Sequence, residues 1–222
     1  MHLTNKNTCA PTPPMGWNSW NCWARDVTQE QILSSARAMV EKGLADHGWS
    51  YINIDDGWQG RRGGRYNAIQ PNKKFPDMAA LTREIHDMGL RVGIYSTPWI
   101  GTYAAHIGSY SDRPDGENEW IEKGLHNENY RYQKPGGNYW EDRCEVWHHG
   151  PYSFVEADVK QWAEWGIDYL KYDWHPLNYY HVREMFDMLR KIDRDIIFSL
   201  SNSAPYGDAP VWQRYANCWR TT

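Results

Sequence analysis

Short apolar runs recur along this chain, and each ends on residues suited to chemistry more than to packing. The runs cover residues 15–20, 51–54, 90–95, 168–172 and 196–200, and a sixth begins at 217–220. Between them the apolar residues return at helical spacing. Thr28 and Gln31 form a capping-box pair ahead of Ile32, Leu33, Ala36, Met39, Val40 and Leu44. Asp77 is placed to cap a second helix, with Met78, Leu81, Ile85 and Met88 on one face and Gly89 as its stop. Ser153 and Glu156 read as another capping box, before Val155, Val159, Trp162 and Ala163, with Gly166 ending the helix. A fourth helix covers 178–192 through Val182, Met185, Leu189 and Ile192, and a short one covers 210–215.

Alternating strands and helices predict a parallel sheet with right-handed crossovers. A doubly wound sheet would carry a Gly-rich phosphate loop after its first strand. Here the first strand runs into Asn18-Ser19-Trp20-Asn21-Cys22-Trp23, which is no such loop. A (β/α)8 TIM barrel instead places its chemistry at the C-terminal ends of many strands. The strand ends carry Trp17, then Asp55 and Asp56, Tyr95, Lys171 and Asp173, Ser201 and Asn202, and Arg220. That distribution favours the barrel, incomplete at about strands 1 to 6 of 8.

The chain has 222 residues, enough for one domain with a real core. Its net charge is −4 and its basic residues form only short runs such as Arg61-Arg62, read as solvated loop. Both observations argue against nucleic-acid binding. No stretch approaches the roughly 20 apolar residues of a membrane span. The first residues lack an apolar h-region, so no signal peptide is expected in the given sequence. A cytoplasmic location and secretion with a signal removed both stay open.

Cys9, Cys22, Cys144 and Cys218 show no CxxC spacing, which argues against zinc and predicts buried free thiols. The 14 Trp and 15 Tyr against 4 Phe suit the apolar faces and hydroxyl edges of sugars. They equally suit a Trp-rich core, and composition leaves the two open. The GRRGGRYN segment reads as an exposed loop, and 101–150 as a long irregular stretch of the kind that usually serves function.

Asp55 and Asp56 are neighbours, so both face one ligand only if the strand is already turning, which Gly57 permits. They suit a divalent cation, sugar hydroxyls, or a plain Asp-Gly turn. His148, His149 and His175 lie elsewhere without ligand spacing, so no metal is expected. Lys171 and Asp173 share strand parity and are expected to form an ion pair that keeps Asp173 ionised. An ionised carboxylate in a dry site is a fit nucleophile for glycosyl transfer. A structural buried ion pair reads equally well from these residues alone.

Five motifs, PPMGWNSWN, YINIDDGWQ, LRVGIYS, WGIDYLKYDW and NCWRTT, carry a resemblance that spans nearly the whole chain outside 101–150. The chain resembles glycoside hydrolase family 27, the α-galactosidase and α-N-acetylgalactosaminidase family. The resemblance implies a retaining exo-glycosidase that uses neither metal nor organic cofactor and acts on α-galactosides. It implies Asp173 as nucleophile with Lys171 beside it, and Asp55 and Asp56 holding the axial O4 and the O6 of a galactose-type ring. It implies Trp17 packed on the sugar face, Tyr95 near the scissile position, and Arg220 contacting the hydroxyls near C2 and C3.

The family's acid/base aspartate follows that arginine in a W-R-x-x-x-D arrangement, so it is expected beyond Thr222. Residues 1–222 then form a partial catalytic barrel domain, with the remaining strands and a C-terminal β-domain expected outside it. The chain by itself is expected to be inactive, and a non-catalytic carbohydrate-binding fragment is the competing reading. Many eukaryotic members bond a cysteine before the third helix to one two residues after the nucleophile. Here Cys144 takes the first position and His175 the second, so that disulfide is expected to be absent. Ser201 and Ala204 match the spacing of the small residues that N-acetylgalactosaminidases carry around C2, while a Ser/Asn pair also suits a bare 2-OH. The sequence leaves oligomeric state open.

Overall fold

A computed structural model describes residues 9–117, 149–201 and 203–221. Asn202, Cys144, His148 and the first eight residues lie outside that description. Strand β1 is Met15–Asn18, followed by the one-turn helix α1, Trp20–Trp23, where a longer first strand was expected. Helix α2 (Gln29–Glu41) leads to β2 (Trp49–Ile54), the hairpin β3 (Gln59–Gly63) and β4 (Ala68–Pro71), and α3 (Met78–Asp87). Strand β5 (Arg91–Ser96) precedes the two-residue strands β6 (Tyr110–Ser111) and β7 (Tyr152–Ser153). Then come α4 (Val155–Trp165), β8 (Tyr169–Tyr172), α5 (Tyr179–Leu189), β9 (Ile197–Leu200), α6 (Ala209–Tyr215) and β10 (Cys218–Trp219).

The main sheet has six strands in the order β1-β2-β5-β8-β9-β10, every neighbour parallel. This is an incomplete (β/α)8 barrel sheet. Period-2 alternation sends Ile52, Ile54, Val92, Ile94, Leu170, Tyr172, Phe198 and Leu200 into the buried core. The alternate residues of the same strands stack in layers set by the register. Asn53 pairs with Gly93, and Tyr95 with Lys171 and then Ser199. A Cβ on Gly93 would lie 1.8 Å from Asn53 Oδ1, so only glycine fits that layer.

The capping signals explain most helix starts. Thr28 and Gln31 close the reciprocal capping box of α2, and Asp77 accepts from the Ala80 N–H at the start of α3. Asn178 does the same for α5 through the His181 N–H. Gly166, left-handed at φ 85°, ends α4 as expected.

Several expectations are corrected. The buried stripe of α2 is Ile32, Leu33, Ala36 and Met39, whereas Val40 and Leu44 are exposed. Among the described elements the helix packs chiefly on β2 and α3, and one packed side needs only a narrow stripe. The Ser153/Glu156 capping box does not form, and the N-cap of α4 is Phe154 without a side-chain bond. Ser153 Oγ donates instead to Glu184 on α5, while Glu156 pairs with Lys160 one turn along its own helix.

The GRRGGRYN segment is exposed at Arg61, Gly64, Arg65 and Asn67, as expected, but it is not wholly a loop. It builds the β3–β4 hairpin, and Arg62 is buried in an ion pair with Asp158 at 2.8 Å. Arg62 also donates to the Gly108 carbonyl and lies over the Phe154 ring. The thiols are not fully buried either: Cys22 is exposed and Cys9 and Cys218 are half-buried. Small size lets cysteine fill core gaps, but Cys9 precedes the first strand, Cys22 lies on the one-turn helix α1, and Cys218 lies on the edge strand β10.

Candidate active site

The C-terminal ends of β2, β5, β8 and β9 bring Asp55, Asp56, Tyr95, Lys171, Asp173 and Ser201 together. Asp55 and Asp56 are each 1 % exposed and Asp173 is 4 % exposed. Three carboxylates thus share one dry region, and burial of this kind is costly unless charges are compensated. The adjacent aspartates both turn inward because the chain bends at Gly57, whose φ is 116°. A side chain there would strike the Arg25 backbone at 2.7 Å.

Register decides who pairs with whom. Asp55 stands two residues past Asn53, level with Tyr95 and Lys171, while Asp173 stands one layer higher. Lys171 Nζ accordingly donates to Asp55 Oδ2 at 2.8 Å, which corrects the expected pair with Asp173. Asn18 Nδ2 donates to the same oxygen at 2.7 Å, and the Asp56 N–H donates to Asp55 Oδ1. Lys171 also lies 5.2 Å from the Tyr95 ring centroid.

Asp173 Oδ2 accepts from the Tyr95 hydroxyl at 3.0 Å. Among the described residues Oδ1 has no hydrogen-bond partner. Burial pushes the Asp173 carboxyl up from its ordinary value, and the Asp55 charge adds to the rise. The Lys171 charge and the hydroxyls of Tyr95 and Ser201 act against it.

Asp56 is held by a different segment. The Thr102 hydroxyl donates to Oδ1 and the Ala104 N–H to Oδ2, each at 2.7 Å. Burial raises its pKa to about 7, with Asp55 and Asp173 adding repulsion. The folded protein therefore binds this proton more tightly than the unfolded chain. Stability from Asp56 is fully present below its ordinary 3.8 and is lost as pH rises through about 7. Asp56→Asn should flatten this part of the stability curve, so melting profiles of both proteins across that window should converge at the acid end and diverge above it. Parallel profiles would refute the assignment.

Trp17 is half-buried against the core on β1, and Arg220 is exposed past β10, so both stand on the edge strands of the sheet. The Arg220 carbonyl accepts from the Ala204 N–H, and its own N–H donates to Leu200. Ala204 belongs to the hydrophobic core, which leaves Ser201 of that pair beside Asp173. Asn202 lies outside the described residues. Sequence reasoning missed Asn18, although its place at the end of the first strand was a usable signal. It also missed Thr102 and Ala104, for which no local pattern exists. Among the described residues no three His, Cys, Asp or Glu side chains gather into a metal site, and no described helix is long and apolar enough to cross a membrane.

A parallel barrel sheet thus concentrates carboxylates, a lysine and a tyrosine at its strand ends. The family model described as Alpha galactosidase A matches residues 12–120. Alpha-galactosidase A of Cellvibrio japonicus is 34 % identical over 224 residues, covering 96 % of this chain and 44 % of that protein. Alpha-galactosidase of Coffea arabica is 31 % identical over 217 residues, covering 95 % and 47 %. The crystal structure of alpha-galactosidase I from Mortierella vinacea superposes with a TM-score of 0.72 at 29 % identity, covering 96 % of this chain and 46 % of that one. Along nearly its whole length the chain is similar to alpha-galactosidases. It spans about half the length of the curated relatives it matches.

Proposed function

We propose that this chain supplies the nucleophile and the sugar-recognition half of a retaining exo-α-galactosidase. One observation carries the reading. Asp173 is anchored through Oδ2 by Tyr95 while Oδ1 makes no bond to the described protein, and two buried aspartates stand beside it. A carboxylate fixed by one oxygen presents the other to an anomeric carbon. In the double displacement, Asp173 attacks C1 as the glycosidic bond breaks and the leaving oxygen takes a proton. Water then attacks C1 of the glycosyl ester and releases the sugar with its configuration retained.

Asp55 and Asp56 accept hydrogen bonds from the hydroxyls that mark a galacto-configured ring. Lys171 offsets part of the local negative charge. Trp17 supplies an apolar face to the sugar, and Ser201 and Arg220 serve its C2 and C3 side, with Asn202 as a further contact. The acid/base carboxylate is assigned beyond Thr222, so the 222-residue chain alone should leave p-nitrophenyl α-galactoside intact while the protein with its further segment hydrolyses it. Turnover by the short chain would overturn that division of labour. The spacing of Ser201 and Ala204 favours a second reading, an N-acetylgalactosaminidase. Burial of Ala204 in the core weakens it. The ratio of galactoside to N-acetylgalactosaminide turnover decides between them, a ratio above one supporting the first.

A further inference from the structure

We propose that the turn from Thr102 to Ala104 is a built-in clamp for Asp56, and that Thr102 is a positioning residue for sugar recognition. The proposal rests on the galactoside reading for the identity of the ligand, but the clamp itself stands on geometry. Both oxygens of Asp56 are engaged by this one turn, 46 and 48 residues further along the chain. Thr102 is fully buried, so its hydroxyl has no solvent alternative.

The turn is itself braced. Gly101 bridges to Ile107, the Thr102 N–H donates to the His106 carbonyl, and the His106 N–H donates back to Thr102 Oγ1. At its tip Ala105 adopts φ 63°, a conformation disfavoured for a residue bearing a Cβ. Such outliers persist only where surrounding contacts over-determine them, and they concentrate at ligand-binding positions. Beneath the turn, Thr97 Oγ1 donates to the Gly101 carbonyl, and buried Arg62 donates to the Gly108 carbonyl.

Two things follow for recognition. The clamp fixes one rotamer of Asp56, so the remaining lone pair of each oxygen points in a set direction. It also supplies two donors to a carboxylate that stands near Asp55, Asp173 just past β8, Tyr95 from β5 and Lys74 ahead of α3, with Lys171 paired to Asp55 next to it. Donors to the ionised form favour ionisation, and an ionised carboxylate accepts two sugar hydroxyl bonds without competing as a donor.

The test uses Thr102→Val, which removes the hydroxyl and keeps the shape, with Thr102→Ser as the conservative rescue. The Asp56 carboxyl resonance, assigned against Asp56→Asn, is titrated by carbon NMR in the absence of sugar. Galactose affinity is measured by calorimetry on the same proteins. In Thr102→Val the carboxyl should titrate about one pH unit higher, from loss of one charge-assisted hydrogen bond. Galactose affinity near pH 6 should fall roughly tenfold, and Thr102→Ser should restore both. An unchanged titration, or one that serine fails to restore, overturns the clamp whether or not sugar binds. A wild-type protein that binds no galactose refutes the galactoside reading and the recognition role with it, while the titration still decides the clamp.

Discussion

In the protein that carries the acid/base segment as well, Asp173→Asn should abolish hydrolysis of an α-galactoside and at the same time make the protein harder to melt. The loss follows from the proposed chemistry. Asparagine keeps the shape and the Tyr95 contact but cannot form the glycosyl ester, and loss of a covalent nucleophile costs about 10⁴-fold or more. The gain follows from burial. The folded-state pKa of Asp173 is raised, so its stability contribution is present at low pH and is lost as pH climbs through the raised value. Asparagine carries no charge to bury, and the variant should gain about 1–2 kcal/mol at neutral pH, or about 2–8 °C in Tm.

A structural ion-pair role predicts the reverse, namely a less stable variant with activity to spare. Chemical rescue sharpens the test. Azide added to Asp173→Gly should attack C1 in place of the missing carboxylate, expel the leaving oxygen and yield the β-galactosyl azide. Retained hydrolysis in Asp173→Asn, or no azide product from Asp173→Gly, would remove Asp173 from the nucleophile role.

Lys171→Met should be the most damaging change to stability within the site. Its side chain is 18 % exposed and that of its partner Asp55 only 2 %. Removing one member of a buried pair leaves the other charge uncompensated and costs about 3–5 kcal/mol, with the lower end expected here because Lys171 keeps some contact with water. Two further effects compound it. Asn18 and the Asp56 N–H remain on Asp55, but neither carries charge. The Lys171 charge is also a main influence holding Asp173 down, so its loss drives that carboxyl still higher and moves the acid limb of kcat/KM upward. The double variant Lys171→Met/Asp55→Asn should recover most of the lost stability and none of the activity. Denaturant unfolding of the four proteins of this cycle measures the coupling. Additive effects would show that Lys171 and Asp55 are not a pair in solution.

The strand ends were legible because alternation and barrel architecture together say where chemistry collects. Tyr95, Asp55, Lys171 and Asp173 all stand where that reasoning put them. The pairing of Lys171 was misread because parity within one strand tells which side a residue faces, not which neighbour is level with it. That answer lies in the register across β2, β5 and β8. The clamp on Asp56 was invisible for a different reason: Thr102 sits in a segment without periodicity and reaches its partner through tertiary closure alone. Ser153 shows how a local pattern is redirected, since its hydroxyl donates to Glu184 of α5 and accepts from the Val155 N–H, while Glu156 pairs with Lys160. Arg62 shows composition misleading, because glycines and arginines that look like solvated loop fold into a hairpin with a buried guanidinium.

That guanidinium has a consequence for anyone redesigning this protein. Arg62 carries no proposed sugar contact, yet it fastens the hairpin, the Gly108 carbonyl just past the segment that braces the Asp56 clamp, and helix α4 to one another. In a saturation mutagenesis library scored on activity, position 62 should therefore group with the site residues, and a radius drawn around the sugar would miss it. Directed evolution toward another glycoside should vary the turn and the hairpin together, since a changed tip on an unchanged footing inherits the old geometry.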